Sequence, residues 1–289
     1  MNFEVTHSQK VKPLPPAATF SASSPAASPT RSMALITGAS GGIGRALAGE
    51  CARAGYGVIL VARSADKLQA LAGELAQRHG VSAQVCVADL TAPGAIDTIA
   101  GAVRAAGGRL DVLINNAGVG DFGLFADTPA HKLAHTLQLD VVALTLLTRR
   151  LLPLLVAARG HILNLASTAA FQPTPYLAVY GAAKAYVRSL SLALAEELRP
   201  HGVTVTALCP GPTQTGFFDH ARMHQSALVK GQRLPTPQAV AAAGFAAMQH
   251  GDLIEVHGWR NRLMAFGARL APNRLLLRVA RRAAAPRRG

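Results

Sequence analysis

The chain has 289 residues, half of them hydrophobic, which suits one α/β domain with extensions and provides for a sizeable core. Its formal net charge of +14 is unevenly distributed: residues 259–289 carry nine arginines and no acidic residue, whereas residues 33–258 carry a net charge of only +3. Because the predicted globular body is nearly balanced, the composition argues against a nucleic-acid-binding protein, and nucleic acid is not an expected partner.

The cysteines and the hydropathy bear on whether the protein binds a metal, forms disulfides or spans a membrane. The three cysteines, Cys51, Cys86 and Cys209, show neither a CxxC pair nor metal-ligand spacing, so no metal site is predicted and free thiols in a reducing compartment are expected. No apolar run reaches the length of a membrane span, and the closest, residues 144–158, contains two arginines. We therefore expect a cytoplasmic protein.

The first segment, residues 1–32, is rich in proline, serine and alanine. It has no hydrophobic period and lacks the apolar region of a secretory signal, so we predict a disordered extension. Met33 directly precedes the first predicted strand, so translation that starts at Met33 is an alternative. The predicted domain spans residues 33–258, and residues 259–289 form a basic tail.

The domain opens with a short apolar strand, a glycine-rich turn and a helix that begins at about Ile43. Gly38, Gly42 and Gly44 stand in the turn, where a tight bend and a close approach to a phosphate both favour residues without a Cβ atom. The amino terminus of the helix, with its free N–H groups, suits a pyrophosphate. Alone, this pattern also describes an ordinary strand, turn and helix.

Beyond the turn, strands and helices alternate regularly to the end of the domain. We predict strands at residues 34–37, 58–62, 81–87, 110–115, 161–166, 203–209 and 253–256. We predict a helix that begins at about residue 43, one that ends at about residue 79, and helices at 93–106, 129–158, 177–199 and 236–250. The strands are almost continuously apolar, which is typical of a parallel sheet covered on both faces. The fold class is therefore α/β, with a single doubly wound parallel sheet (Rossmann fold) and helices on both faces.

In such a sheet, ligands bind beyond the carboxyl ends of the strands, and polar or glycine residues follow every strand here. The motifs TGASGGIG (37–44), NNAG (115–118), Ser167, Tyr180-x-x-x-Lys184 and PGP (210–212) resemble those of the short-chain dehydrogenase/reductase family, in its order and spacing. The resemblance covers roughly residues 33–256. It implies a nicotinamide cofactor, a small-molecule carbonyl or alcohol substrate, and a homodimer or homotetramer.

Tyr180 and Lys184 have a mechanical interpretation of their own. Four residues apart on a helix, their side chains share one face. A lysine ammonium and an oxidised nicotinamide ring both favour the phenolate, so we expect the pKa of Tyr180 to fall below its ordinary value of about 10. Tyr180 is then the predicted general acid/base and Ser167 an orienting hydrogen-bond partner. If this spacing stood alone, the simpler interpretation would be a tyrosine and a lysine on a solvent-exposed helix face.

The residue at the end of the second strand bears on the cofactor. NAD requires an acidic residue there to hold the ribose hydroxyls, but this chain has Arg63, whose guanidinium suits a phosphate. NADP(H) is therefore favoured over NAD(H). The sequence is also compatible with an ordinary surface arginine that binds no phosphate. Together with the family resemblance, this gives a predicted set of cofactor-binding residues: Gly38, Ser40, Gly42, Ile43, Gly44, Arg63, Asp89, Leu90, Asn116, Ala117, Gly118, Tyr180, Lys184, Pro210, Gly211, Thr213 and Thr215.

One position departs from the family pattern. Asp140 stands where the family usually has an asparagine that holds a water in a proton relay toward the lysine. An aspartate could also hold water, or its charge could pair with Lys184 and weaken the effect of the lysine on Tyr180. We include Asp140 among the predicted catalytic residues, and expect Asp140→Asn to preserve or raise turnover.

Residues 213–232 are expected to form a mobile flap over the substrate. Apolar side chains in this loop and near the strand ends predict an apolar substrate, although they could equally pack the loops against one another. The residues concerned are Phe122, Leu124, Phe125, Phe171, Phe217, Phe218, Met223 and Leu228.

The basic tail from Trp259 onward contains two short amphipathic pieces separated by Pro272. It could lie on an anionic membrane surface, pack on the body or on a second subunit, or contact nucleic acid. Two hypotheses for the whole protein follow. The first is an NADP-dependent oxidoreductase acting on CH–OH and C=O groups, and the second is an NADP-binding sensor or scaffold protein with little turnover.

Overall fold

The computed structural model describes residues 32–217 and 234–284. Its centre is a sheet of seven parallel strands in the order β3-β2-β1-β4-β5-β6-β7, so the order reverses between β1 and β4. The strands are β1 Met33–Thr37, β2 Gly57–Ala62, β3 Ala83–Val87, β4 Val112–Asn115, β5 His161–Leu165, β6 Thr204–Leu208 and β7 Ile254–Glu255. The predicted doubly wound parallel sheet is confirmed.

Nine α-helices lie in the described residues. They are α1 Gly42–Arg53, α2 Ala65–His79, α3 Ala95–Ala105, α4 Ala130–Leu137, α5 Leu144–Ala158, α6 Ala178–Leu198, α7 Pro237–His250, α8 Trp259–Leu270 and α9 Asn273–Ala284. Strands β3 and β4 begin two residues later than predicted, although Ser82 and Asp111 still form backbone hydrogen bonds with neighbouring strands.

The core has one layer on each face of the sheet. Leu35 and Ile36 are neighbours on β1 and, because successive strand residues point to opposite faces, they enter different layers. Ile36 belongs to the same apolar cluster as Leu47 of α1, and Leu35 to the same cluster as Ile99 of α3 and Leu147 of α5. Burial on both faces explains why the strands are almost continuously apolar.

The predicted helix at 129–158 is not continuous. A π-helical segment, Gln138–Ala143, lies between α4 and α5, and it contains Asp140. Such wide turns are rare and are found mostly as local insertions at functional sites. Here the wide turn lies where the buried carboxylate of Asp140 meets its partners, which hydrophobic periodicity alone could not indicate.

By length and composition alone, the whole helical run Ala130–Ala158 could cross a membrane. Its position in the fold gives another explanation for its hydropathy. Leu147, Leu151 and Leu155 are buried in the core layer that α5 shares with the sheet. Helix α5 therefore packs in the core, although only 39% of the apolar window of the run is buried and Leu137, Val142 and Leu146 are exposed.

Residues 1–31, the predicted disordered extension, lie outside the described residues, so their disorder stays a prediction. The tail forms the two predicted helices, α8 and α9, on either side of Pro272. Helix α8 packs on the body through Ala265, which is buried in a cluster with Val256 and Phe171. Contact with the body, one of the three alternatives for the tail, is thus present for one face of α8.

Candidate active site

The glycine turn connects β1 to α1 at the point where the strand order reverses. Gly38 has a φ of +66°, and a Cβ atom there would lie 2.7 Å from Nδ2 of Asn116. A Cβ at Gly44 would collide with the Gly38 carbonyl oxygen. Gly41 precedes α1 without any side-chain hydrogen bond to the first turn, so the N–H groups there are available to an anion. The turn therefore fits the pyrophosphate of a dinucleotide.

A buried hydroxyl ties this turn to the end of β4. The Thr37 Oγ1 atom accepts hydrogen bonds from the backbone N–H groups of Asn116 (3.0 Å) and Ala117 (3.1 Å). The Asn116 side chain donates in return to the Thr37 carbonyl oxygen at 2.9 Å. Thr37 was not among the predicted site residues, although a polar residue at the end of an otherwise apolar strand could have indicated it.

The loop after β6 closes the turn from the other side. Gly42 lies so close to this loop that a Cβ atom there would be 3.2 Å from the Thr215 side chain. Thr213 is buried, and its hydroxyl donates to the Gly211 carbonyl oxygen at 2.9 Å. The predicted cofactor residues from the first strand end and the sixth are therefore brought together.

Ser167, Tyr180 and Lys184 converge beside this edge. Ser167 begins a 3₁₀ turn after β5, and its Oγ atom accepts a hydrogen bond of 3.1 Å from the Ala169 N–H. Its hydroxyl also acts on Tyr180 of α6, whose pKa it lowers as a hydrogen-bonding group. One helical turn further along, the Nζ atom of Lys184 lies 5.6 Å from the centre of the Tyr180 ring and donates to the Leu165 carbonyl oxygen at 3.0 Å.

The carboxylate of Asp140 lies against this lysine, and both residues are almost completely buried. Its Oδ1 atom accepts a hydrogen bond of 2.8 Å from the Val119 N–H. Its Oδ2 atom lies 3.0 Å from Nζ of Lys184, close enough for an ion pair but without the alignment of a hydrogen bond. Of the two roles considered for Asp140, the structure places it in a pair with Lys184.

Burial dominates the electrostatics of Tyr180. Desolvation raises its pKa, and Asp140 adds to the rise, while the Lys184 charge and the Ser167 hydrogen bond lower it; the net direction is upward. The expected lowering is therefore wrong for the protein alone, because the sequence argument left out burial. Burial is also the largest single influence on Lys184 and lowers its pKa, but the charges of Asp140, Tyr180 and Cys209 together outweigh it, so the net shift is upward and the ammonium form is retained.

Arg63 follows β2 and is exposed, with no ion pair among the described residues. Asp89, after β3, accepts hydrogen bonds from the Thr91 N–H (2.9 Å) and hydroxyl (2.7 Å), which lower its pKa, with a further contribution from the charge of Arg63. Ser64, which the sequence analysis missed, is exposed at the start of α2 and makes no capping hydrogen bond. Its free hydroxyl stands next to Arg63 in the chain.

The other predicted cofactor residues also lie along this edge. Ile43 and Leu90 pack mainly into the two core layers, so their backbone is the part left for a ligand. Gly118 lies against the ion pair, because a Cβ there would be 3.0 Å from Oδ2 of Asp140. Ser40 is half-buried in the glycine turn and Pro210 is buried.

An apolar pocket wall stands next to Tyr180. Leu177 is buried, and Phe122, Tyr180, Phe217 and Leu234 pack against it. The rings of Tyr180 and Phe217 are 5.3 Å apart.

Six other residues predicted for this space lie elsewhere or outside the described residues. Phe171 packs under α8 instead, and Leu124 and Phe125 are exposed. Phe218, Met223 and Leu228 lie outside the described residues.

Comparison with known proteins agrees with this geometry. Residues 32–226 match the family model of the short chain dehydrogenases. The very-long-chain 3-oxoacyl-CoA reductase of Anas platyrhynchos is 36% identical over 239 residues, covering 78% of this chain and 73% of the relative. A short-chain dehydrogenase from Sphingobium yanoikuyae in complex with NADPH superposes with a TM-score of 0.74 at 32% identity, covering 90% of this chain and 99% of that one.

A second solved structure, the 3-ketoacyl-(acyl-carrier-protein) reductase of Brucella melitensis, is complexed with NADH. It has a TM-score of 0.69 at 30% identity and covers 78% of this chain and 97% of that one. Similar folds thus hold either nicotinamide cofactor. On the family match, the sheet and the glycine turn, the chain belongs to the short-chain dehydrogenase/reductase family, oxidoreductases that act on alcohol and carbonyl groups with a nicotinamide cofactor.

Proposed function

We propose that the protein is an NADPH-dependent oxidoreductase in which Tyr180 exchanges a proton with the oxygen of a carbonyl or alcohol substrate. The observation behind this proposal is the convergence of Ser167, Tyr180 and Lys184 beside the glycine turn. The nicotinamide, when bound, supplies or accepts the hydride. The chain itself has to orient the substrate oxygen, move a proton and exclude water.

Each of the three side chains has a separate task. The Tyr180 hydroxyl donates its proton to a carbonyl oxygen in reduction and accepts one from an alcohol in oxidation. General acid/base help of this kind accelerates a reaction by roughly 10²–10⁴-fold. The Ser167 hydroxyl holds the same oxygen, and Lys184 favours the phenolate when the proton leaves, since its charge opposes the effect of burial.

The preference for NADPH rests on Arg63. An exposed guanidinium without an ion-pair partner among the described residues is available to a 2′-phosphate, which it can bind through two parallel hydrogen bonds. The free hydroxyl of Ser64, at the amino terminus of α2, offers a further donor. The NADPH-bound relative is compatible with this preference, and the NADH-bound one shows why it needs its own test.

The substrate is expected to be apolar. Phe122, Leu177, Phe217 and Leu234 form an apolar wall beside the Tyr180 ring, so a hydrocarbon portion of the substrate would be desolvated next to the reacting oxygen. The relative from Anas platyrhynchos is named for very-long-chain 3-oxoacyl-CoA, which agrees with an apolar substrate. We further expect a homodimer or homotetramer in the cytoplasm.

A second candidate is a protein that binds NADPH but turns over little, such as a sensor or scaffold. The buried pair between Asp140 and Lys184 favours it, because the carboxylate offsets part of the lysine charge that Tyr180 needs. The two candidates differ in turnover and share coenzyme binding. They can therefore be separated in one experiment.

The experiment is a panel of ketones, aldehydes and alcohols, followed by NADPH absorbance, with NADPH affinity measured in parallel. Tyr180→Phe should lower turnover by at least roughly a hundredfold with coenzyme affinity retained. Tyr186→Phe is the matched control, since this exposed tyrosine on the same helix bonds only to Thr145 in the described residues and should change nothing. Tight NADPH binding without turnover on any compound would favour the second candidate.

A further inference from the structure

Helix α8 presents a stripe of large apolar side chains to the solvent. The exposed fractions are 70% for Trp259, 64% for Leu263, 60% for Phe266 and 73% for Leu270. At the spacing of an α-helix, these four residues fall within an arc of roughly 60°. So many exposed apolar groups in one line are unusual on a soluble surface and indicate a docking face.

The opposite side of α8 is fixed to the body, which sets the direction of the stripe. Ala265 is buried against the domain. Arg262 donates to the Val256 carbonyl oxygen at 2.9 Å and pairs with Glu255 at 3.0 Å. Ala265 and Arg262 lie outside the arc of the stripe. The stripe therefore cannot turn toward the body unless the contacts of these two residues are broken. Its exposure is therefore a property of the fold.

Positive charge surrounds the stripe. Arg260 flanks it on α8, and Arg274, Arg278, Arg281 and Arg282 share one exposed face of α9. In the part of the chain that the structure describes, no acidic side chain pairs with any of these five arginines. Large apolar groups with arginines beside them are the signature of a helix that lies in a membrane interface.

We propose that α8 and α9 dock the protein on the surface of an anionic lipid bilayer. The stripe of α8 would enter the boundary between headgroups and acyl chains, while the arginines contact the anionic headgroups. A second copy of the chain fits less well. A two-fold contact through this face would place two sets of arginines against each other without any acidic residue in residues 259–289. Nucleic acid would match the arginines but not the stripe.

The test is co-sedimentation of the full chain with vesicles. The expected result is binding to phosphatidylcholine vesicles that contain roughly one third phosphatidylserine, with little binding to pure phosphatidylcholine and loss at high salt. Leu263→Asp with Phe266→Asp should reduce binding at least tenfold, because both substitutions put a charge into the acyl boundary. Leu253→Asp is the matched control: its side chain is 54% exposed but lies outside α8, so binding should be unchanged.

A charge variant, with Arg274, Arg278, Arg281 and Arg282 replaced by glutamine, tests the other half of the proposal. Each basic residue near an anionic surface strengthens binding about fivefold, so this variant should bind at least tenfold more weakly. Thermal melting shows whether each variant is folded, and sedimentation velocity gives its oligomeric state. Equal binding of stripe variant and control would overturn the proposal. The proposal would also be overturned if the variants changed their oligomeric state while their vesicle binding stayed the same. A third contrary result is that competing nucleic acid abolishes vesicle binding of the unaltered protein and of every variant to the same extent.

Discussion

Asp140→Asn is the substitution that tests the electrostatics of the site most directly. The Lys184 ammonium lies 3.0 Å from the Asp140 carboxylate and 5.6 Å from the centre of the Tyr180 ring. Because the two distances add up to 8.6 Å, the carboxylate lies no further than that from the ring centre, where two unit charges repel by at least about 2 kcal/mol at an effective dielectric constant near 20. Removing that charge removes this repulsion, while the Tyr180 phenolate itself still attracts the Lys184 ammonium.

The sign of the effect on the pH profile follows from the proton that Tyr180 must lose. Asp140 raises the pKa of Tyr180, so the asparagine variant should have a lower one. In alcohol oxidation, where Tyr180 accepts a proton, the rising limb of the rate against pH should move to lower pH. Turnover at neutral pH should be preserved or raised.

The asparagine keeps the shape of the site. Its side-chain oxygen can still accept the hydrogen bond from Val119, and Lys184 still donates to the Leu165 carbonyl oxygen. Some stability is lost nonetheless, because the buried lysine loses its counter-charge. The assay is the steady-state rate of alcohol oxidation across pH, with Asp97→Asn, an exposed carboxylate paired with Arg150, as the control. The reasoning would be refuted by a folded, coenzyme-binding Asp140→Asn variant that loses most of its activity. It would also be refuted if the rising limb of the pH–rate profile stayed at the same pH.

Three further predictions concern the cofactor, the turn and the core. Arg63→Ala should weaken NADPH binding about 10–100-fold and leave NADH binding nearly unchanged, as judged by fluorescence titration, whereas the exposed Arg104→Ala should alter neither. Gly38→Ala should lower the free energy of unfolding by at least about 2 kcal/mol, because of its φ of +66° and the contact with Asn116. Gly49→Ala, in the open middle of α1, should stabilise by about 0.5–1 kcal/mol in the same denaturation experiment. Burial raises the pKa of Cys209 to about 12, so this thiol should react with a thiol reagent near pH 8 only after unfolding.

The parts of the fold that could be predicted from the sequence depend on local patterns. Leu35 and Ile36 show why: a strand buried on both faces has to be apolar at consecutive positions, and seven such runs separated by helices leave few arrangements other than a doubly wound sheet. The glycine turn and the Tyr180/Lys184 pair were visible because their chemistry requires fixed residue types at short spacing. The structure brings these predicted residues to one edge.

Features that depend on long-range contacts could not be read in the same way. The π-helical turn at Asp140 lies where its carboxylate meets Lys184, which is 44 positions away in the sequence, so no local period indicates it. Phe171 was expected near the substrate, but it packs against the apolar cluster that contains Ala265 of α8, 94 positions further along the chain. The direction of the Tyr180 pKa shift also required the burial of the ring, which only the folded structure gives.

The position of α8 connects the tail to the proposed chemistry. Ala265 belongs to the apolar cluster against which Phe171 packs, at the end of the turn that begins with Ser167. Asn261 lies so near Gly211 that a Cβ atom on this glycine would be 2.6 Å from the Asn261 amide nitrogen. Helix α8 therefore supports two of the loops that form the edge of the site. Deleting the tail would remove this support together with the exposed stripe, and a loss of activity would then say nothing about membranes. Substitutions on the outward face leave both contacts in place, so they separate docking on a bilayer from the support that the helix gives to the site.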